Sequence, residues 1–244
     1  MAIALVQSVV PGFQSSAPFT ATFTTSNTTI GDIGVMQIWW NGSGTQTTGT
    51  ITITDTQGNT WTLIPGTFAQ FSDSSSGNKL GVVLAWCRYS GATKNKVTVA
   101  FSQSVSFINI NQLEFSGLVS SGSPVDAANS NSVSNVNSNS PWTTGNITVA
   151  NANSLAIGYM VTGGGPTGSG AIVPASGFTA IDNNNAAGFL WCGEYNLAIA
   201  SGTQNGNFSR ASSSAQYGAC IASFIPAGVT PSTKATRTLL GVGL

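Results

Sequence analysis

The sequence predicts an all-β protein, a two-sheet antiparallel β-sandwich built from an internal duplication. Three observations predict it: apolar and polar residues alternate with period two, no stretch of helical length carries a capped 3.6-residue apolar stripe, and turn residues punctuate the chain at short intervals. Phe19-Thr20-Ala21-Thr22-Phe23-Thr24 sets apolar residues against threonines, as a half-buried strand does. Residues 33–40 are instead a nearly continuous apolar run, the pattern of a strand covered on both faces or lying across an interface. Thr50-Ile51-Thr52-Ile53-Thr54 alternates again, and Asp55-Thr56-Gln57-Gly58-Asn59 follows as a turn in which the aspartate bonds its own backbone and Gly58 takes positive φ, closing a hairpin between Ile53 and Trp61. Residues 80–86 form a second such run, open to the same two readings, and Lys96-Val97-Thr98-Val99-Ala100-Phe101 alternates. Asp182-Asn183-Asn184-Asn185 reads as a further hairpin tip. About a dozen strands result.

The order of motifs repeats. Leu84-Ala85-Trp86-Cys87-Arg88-Tyr89 recurs as Phe189-Leu190-Trp191-Cys192-Gly193-Glu194-Tyr195, and Phe101-Ser102 and then Phe115 recur as Phe208-Ser209 and then Phe224. Upstream, the stretch from Asp32 to Ile38 is echoed from Asn153 to Met160, and that from Asn59 to Ile64 by that from Gly177 to Ile181. The unit is longer than solenoid repeats. The expected organisation is a duplicated sandwich over residues 1–226, with halves of about 1–118 and 146–226 and a Ser/Asn-rich connector at 116–145 laid on the surface. The halves are either separate small sandwiches or parts of one with a shared core, and the modest strand count of each favours sharing. Residues 227–244 form a C-terminal extended arm, basic and proline-bearing, whose apolar end Leu239, Leu240, Val242 and Leu244 is a candidate subunit contact or folds back on its own domain as an edge strand.

Composition restricts the chemistry. The 244 residues include no histidine, seven acids, seven bases and three cysteines, and 6% are charged where about 25% is usual. Without histidine there is no Ser-His-Asp or Cys-His nucleophile and no imidazole zinc site, and three cysteines cannot make a four-thiolate one. Cys87, Cys192 and Cys220 each lie in an apolar run and read as small buried hydrophobes. Seven dispersed Lys and Arg cannot neutralise a row of phosphates, so neither nucleic acid nor an anionic membrane surface is an expected partner. No apolar stretch reaches the length of a transmembrane helix, so no membrane insertion is expected. The start, Met1-Ala2-Ile3-Ala4-Leu5-Val6-Gln7, lacks a basic n-region and reads as no signal peptide.

Paired carboxylates are the remaining catalytic option, but Glu114 and Glu194 sit singly in strand-like contexts. No enzyme activity, metal or cofactor is expected. Glu114 reads as a structural carboxylate receiving hydrogen bonds from Ser116-Gly117 after it. Asp55 with Asn59 supplies too few oxygens for calcium. Trp39, Trp40 and Trp142 are candidate glycan or partner contacts, because adjacent tryptophans in a strand point to opposite faces and the third lies in the connector. Core or lid packing is the competing reading for all three. Trp61, Trp86 and Trp191 read as core.

Three stretches carry a resemblance: Met1-Ala2-Ile3-Ala4-Leu5-Val6-Gln7, Asp55-x-x-Gly58-Asn59-x-Trp61, and Glu114-Phe115-Ser116-Gly117-Leu118 followed by Pro124-Val125-Asp126. In these the chain resembles β-sandwich structural proteins encoded in bacteriophage and prophage virion gene clusters, over most of the first half and more loosely the second. The resemblance implies a jelly-roll-type virion component, a capsid decoration, tail or fibre protein made in the host cytoplasm. It transfers no catalytic residue, and the apolar arm departs from the pattern. The expected partners are copies of the chain itself (a homo-oligomer) and other virion proteins. The competing expectation is a carbohydrate-binding or adhesin module for host surface glycans, with an aromatic platform of Trp39 or Trp40 and Trp142.

Overall fold

The computed structural model describes residues 2–229 except 75, 140, 164–170, 187 and 211–213. The strands are β1 (Ala4–Val9), β2 (Phe19–Thr22), β3 (Ile33–Gly42), β4 (Ile51–Asp55), β5 (Thr62–Leu63), β6 (Ala69–Ser72), β7 (Lys79–Arg88), β8 (Lys96–Phe101), β9 (Phe107–Ser116), β10 (Val125–Asn139), β11 (Trp142–Thr143), β12 (Ile147–Val149), β13 (Ser154–Gly163), β14 (Thr179–Ala186), β15 (Phe189–Ile199), β16 (Gly202–Gln204), β17 (Asn207–Phe208) and β18 (Ser214–Phe224). One 3-10 turn, Thr48–Thr50, precedes β4.

Two large antiparallel sheets face each other. The first has the order β1-β9-β3-β7-β5, with β6 also paired to β7, and the second has β10-β18-β13-β15-β14. In each, an opening strand lies at the edge against the strand that closes that part of the chain. The repeated motifs occupy matching places, with Trp86 on β7 and Trp191 on β15, and Phe115 on β9 and Phe224 on β18. A three-stranded layer, β2-β8-β4, covers the outer face of the first sheet, and the short pairs β11-β17 and β12-β16 cover the second.

This layering explains the continuous apolar runs. Along β7, Leu80, Val82 and Leu84 enter the central core while Val83 and Ala85 enter the outer one, so both faces of the strand are dry. The central core draws Trp39, Val82, Leu84 and Phe115 from the first sheet and Leu155, Ile157, Tyr159, Trp191 and Phe224 from the second. Burying each side chain of this size contributes roughly 1.5–3 kcal/mol relative to exposure, which is what holds the two sheets face to face.

Three local expectations change. The turn after β4 forms as expected, with Asp55 Oδ1 accepting from the backbone N–H of Gln57 and of Asn59, both at 3.0 Å. Because β4 pairs with β8 and β5 with β7, that turn is a corner between layers and not a hairpin. The run Asp182-Asn183-Asn184-Asn185 is ladder-bonded strand within β14, paired to β15, and the chain reverses after it, where Gly188 takes φ +85. The third change concerns the Ser/Asn-rich connector. Half of it is β10, the edge strand of the second sheet, because pairing with β18 satisfies its backbone whatever the propensity of its side chains.

Candidate functional site: an open strand edge and a buried polar seam

β1 is the edge of the first sheet, bonded to β9 on one side only. It carries no charge, and Val6 is 43% exposed. The register steps from Leu5↔Phe115 to Gln7↔Glu114, so Val6 is the extra residue of a bulge. Two other edges, at β6 and at β14, are tied to neighbouring segments by side chains. Ser130 Oγ donates to the Phe68 carbonyl at 3.1 Å, and the Ser72 N–H to Ser134 Oγ at 3.2 Å, closing β6 against β10. At β14, the Asn183 side chain bonds both the N–H and the carbonyl of Ile172. Along β1 the Gln7 side chain donates to the Asn27 carbonyl at 3.2 Å, while on the side away from β9 no strand pairs with its backbone among the described residues. An unpaired, uncharged strand edge is a template for another strand.

Glu114 anchors this edge from beneath. It is fully buried, and its oxygens accept from the Thr29 N–H at 2.6 Å and from Gln7 Nε2 at 2.5 Å. The donors therefore come from β1 and the loop before β3, not from Ser116-Gly117. Burial first, and then the Glu114 carboxylate, push Asp32 up to about 6. Arg88 ties the same corner together, donating from Nη1 to the Val119 carbonyl at 2.8 Å and from Nη2 to that of Gly122 at 3.2 Å. The described chain also leaves here: the Ala227 N–H donates to the Gly117 carbonyl at 2.8 Å. Gly117 has φ +78, and a Cβ on it would lie 2.4 Å from the Ala2 carbonyl oxygen. The exit of the chain and the start of β1 are thus adjacent. Leu239, Leu240, Val242 and Leu244 lie outside the described residues.

A second polar group crosses the apolar core between the sheets. Gln37 Nε2 donates to the Gly158 carbonyl at 2.9 Å, Tyr159 Oη donates to Asn109 Oδ1 at 2.8 Å, and Trp191 Nε1 donates to Asp182 Oδ2 at 2.6 Å. The Asn111 amide joins the Gln37 and Asp182 side chains. Burial raises the Asp182 carboxyl, and the hydrogen bonds from Trp191 and Asn111 offset only part of that rise. Polar groups at fixed points in an apolar interface favour one register of the sheets over its neighbours, since a slip leaves each of them unpaired. Of these residues, Gln37, Asn109, Asn111 and Tyr159 are not singled out by the sequence analysis. Their signal was polar residues at buried positions of otherwise apolar runs, Gln37 in 33–40 and Asn109 and Asn111 in 107–115.

Glu194 is the most perturbed acid outside the seam. It lies on the outer face of β15, fully buried, with Oε2 accepting from the Ala175 N–H at 2.7 Å and Oε1 without a partner. Burial pushes its carboxyl up to about 8, the Ala175 hydrogen bond opposing. It is a neutral acid at pH 7, held between Gly158 and Gly206, where an added Cβ would come within 2.7 Å of Oε1 at either position.

The tryptophan candidates are all interior. Trp39, Trp40 and Trp142 are each 0% exposed. Trp39 and Trp40 do point to opposite faces, but both faces of β3 are covered, so one ring lies in the central core and the other under the β2-β8-β4 layer. Trp142 lies between the second sheet and the β11-β17 pair. A ring with no accessible face cannot stack on a sugar, so core packing replaces the platform expectation for these three. Trp191 is core as expected, while Trp61 and Trp86 are half-buried. Cys87, Cys192 and Cys220 are buried free thiols. Asp55 Oδ2 accepts from Asn59, Trp61 and Asn95, and although burial pushes this carboxyl upward, those hydrogen bonds hold it below the usual range. Among the described residues no group of three or more Cys, Asp or Glu converges as metal ligands would, and no helix is long and apolar enough to cross a membrane.

Comparison with known proteins finds no matching family model, no matching curated protein and no matching solved structure.

Proposed function

We propose that the protein is a structural component of a bacteriophage virion, a duplicated jelly roll that self-associates through the free edge of β1. The strand orders support the jelly-roll reading: β1-β9-β3-β7 in one sheet facing β2-β8-β4 in the other is the winding of two interleaved Greek keys. The order β10-β18-β13-β15 repeats it in the second half and supports duplication. A surface of hydroxyls and amides with 6% charge offers little repulsion between neighbouring copies.

The observation that carries the reading is the β1 edge. It is uncharged and exposes Val6, it is fixed from below by Glu114, and Ala227, near the end of the described residues, bonds Gly117 beside the start of β1. The fifteen residues 230–244 can span up to about 50 Å, more than enough to lay the apolar arm along β1 of a neighbouring copy. The test is Val6→Lys, which places a charge on the edge without touching the core. The variant is expected to keep its thermal melt and to lose higher-mass species in light scattering. Unchanged assembly in a folded Val6→Lys protein would remove β1 from the account.

A further inference from the structure

A cleft of about 360 Å³ opens on the second half, between the loop preceding β14 and the β16–β17 corner. We propose that it binds a neutral glycan. Its walls include Ser176, Phe178, Asn196, Thr203, Asn205 and Asn207, and no charged residue lines it.

The side chains here have unused hydrogen-bonding capacity of both signs. Asn196, which lines the cleft, accepts through Oδ1 from the Ala198 N–H at 3.0 Å, and its Nδ2 donates no hydrogen bond among the described residues. Asn205 Nδ2 donates to Asn146 Oδ1 at 3.1 Å, which leaves its Oδ1 free to accept. The side chains of Asn207, Ser176 and Thr203 make no hydrogen bond among the described residues, so hydroxyl and amide groups there can do either. Sugar hydroxyls both donate and accept, and a pyranose ring offers an apolar C–H face; Phe178, half-buried against the core, supplies apolar lining in the cleft. An anionic ligand is disfavoured, because no lysine or arginine lines the cleft to offset its desolvation.

The floor is fixed in advance. Glu194 lies beneath it, with Oε2 bonded to the N–H of Ala175, which lines the cleft, and Oε1 set against Gly206, between the lining residues Asn205 and Asn207. The wholly buried side chain thus fixes the Ala175 backbone on one wall of the cleft, which lowers the ordering cost of binding there. This site is on the opposite half from β1 and is independent of self-association.

The test probes the full chain on a printed array of neutral and acidic oligosaccharides, then titrates the best neutral binder against variants. Asn207→Ala and Asn196→Ala are each expected to weaken binding about fivefold or more, and Thr52→Ala on β4 to leave it unchanged. Asn207 is exposed, so its variant keeps the test informative even if Asn196→Ala fails to fold. Retention of no neutral glycan, preference for acidic glycans, or indifference to both asparagine variants would each overturn the proposal. Light scattering on the same samples reads assembly separately, so failure of one reading is distinguishable from failure of the other.

Discussion

The Glu194 carboxyl gives the protein a stability that depends on pH in a direction opposite to most paired acids. Folded, the group titrates at about 8; its unperturbed value is 4.5. Between those values the folded state holds a proton that the unfolded state has released, so stability falls as pH rises. The contribution is fully present below 4.5, declines by about 1.4 kcal/mol per pH unit through the window, and levels off above the folded value. The full span is on the order of 5 kcal/mol, a large share of the 5–15 kcal/mol that typically stabilises a domain. Asp32 and Asp182 are raised as well and slope the same way, so the native chain alone does not isolate Glu194. Glu194→Gln does, because the amide keeps an acceptor for the Ala175 N–H and stays neutral at every pH. Urea unfolding of both proteins at pH 5, 7 and 9 is the assay. The variant is expected to gain on the native chain by about 3 kcal/mol from pH 5 to pH 7 and by a further 1–2 kcal/mol to pH 9, consistent with the shifted carboxyl. Parallel pH profiles for the two proteins would refute the claim that Glu194 is buried as a neutral acid.

Two further substitutions probe the packing. A Cβ at Gly81 would lie 2.2 Å from Cζ2 of Trp40, a fully buried ring on the neighbouring strand, so Gly81→Ala is expected to lower stability by about 3 kcal/mol, read as a drop in the urea midpoint. Tyr159→Phe leaves Asn109 Oδ1 without its donor in the seam between the sheets and is expected to cost about 1–3 kcal/mol in the same assay, whereas a change within experimental error would show that the seam does not hold the sheets.

The strands most legible in the sequence were those whose faces differ or are both dry. Period-two alternation located β2, β4 and β8, and the apolar runs located β3 and β7 as strands covered on both sides. What stayed hidden depended on contacts distant in sequence. β10 reads as low-complexity connector because its Asn and Ser side chains say nothing of the backbone ladder to β18. The Asp55 turn shows its local chemistry, but whether it joins strands of one sheet or of two is set by the partners of β4 and β5. The tryptophans went the same way: the alternation of Trp39 and Trp40 is local, while their complete burial comes from the facing sheet for Trp39 and from the outer layer for Trp40. The candidate cleft is assembled from segments around 176, 196 and 205, none of which carries a motif alone.

The central claim is that copies of this chain associate through the β1 edge and the arm that leaves beside it. The most direct measurement is the solution mass, by light scattering, of the full chain against one ending at Val229, which retains the Ala227 bond to Gly117. The account predicts a discrete oligomer or larger assembly for the full chain and its loss on truncation, with the same thermal melt for both. A full chain that remains monomeric at all concentrations, or an assembly that survives truncation unchanged, would contradict it.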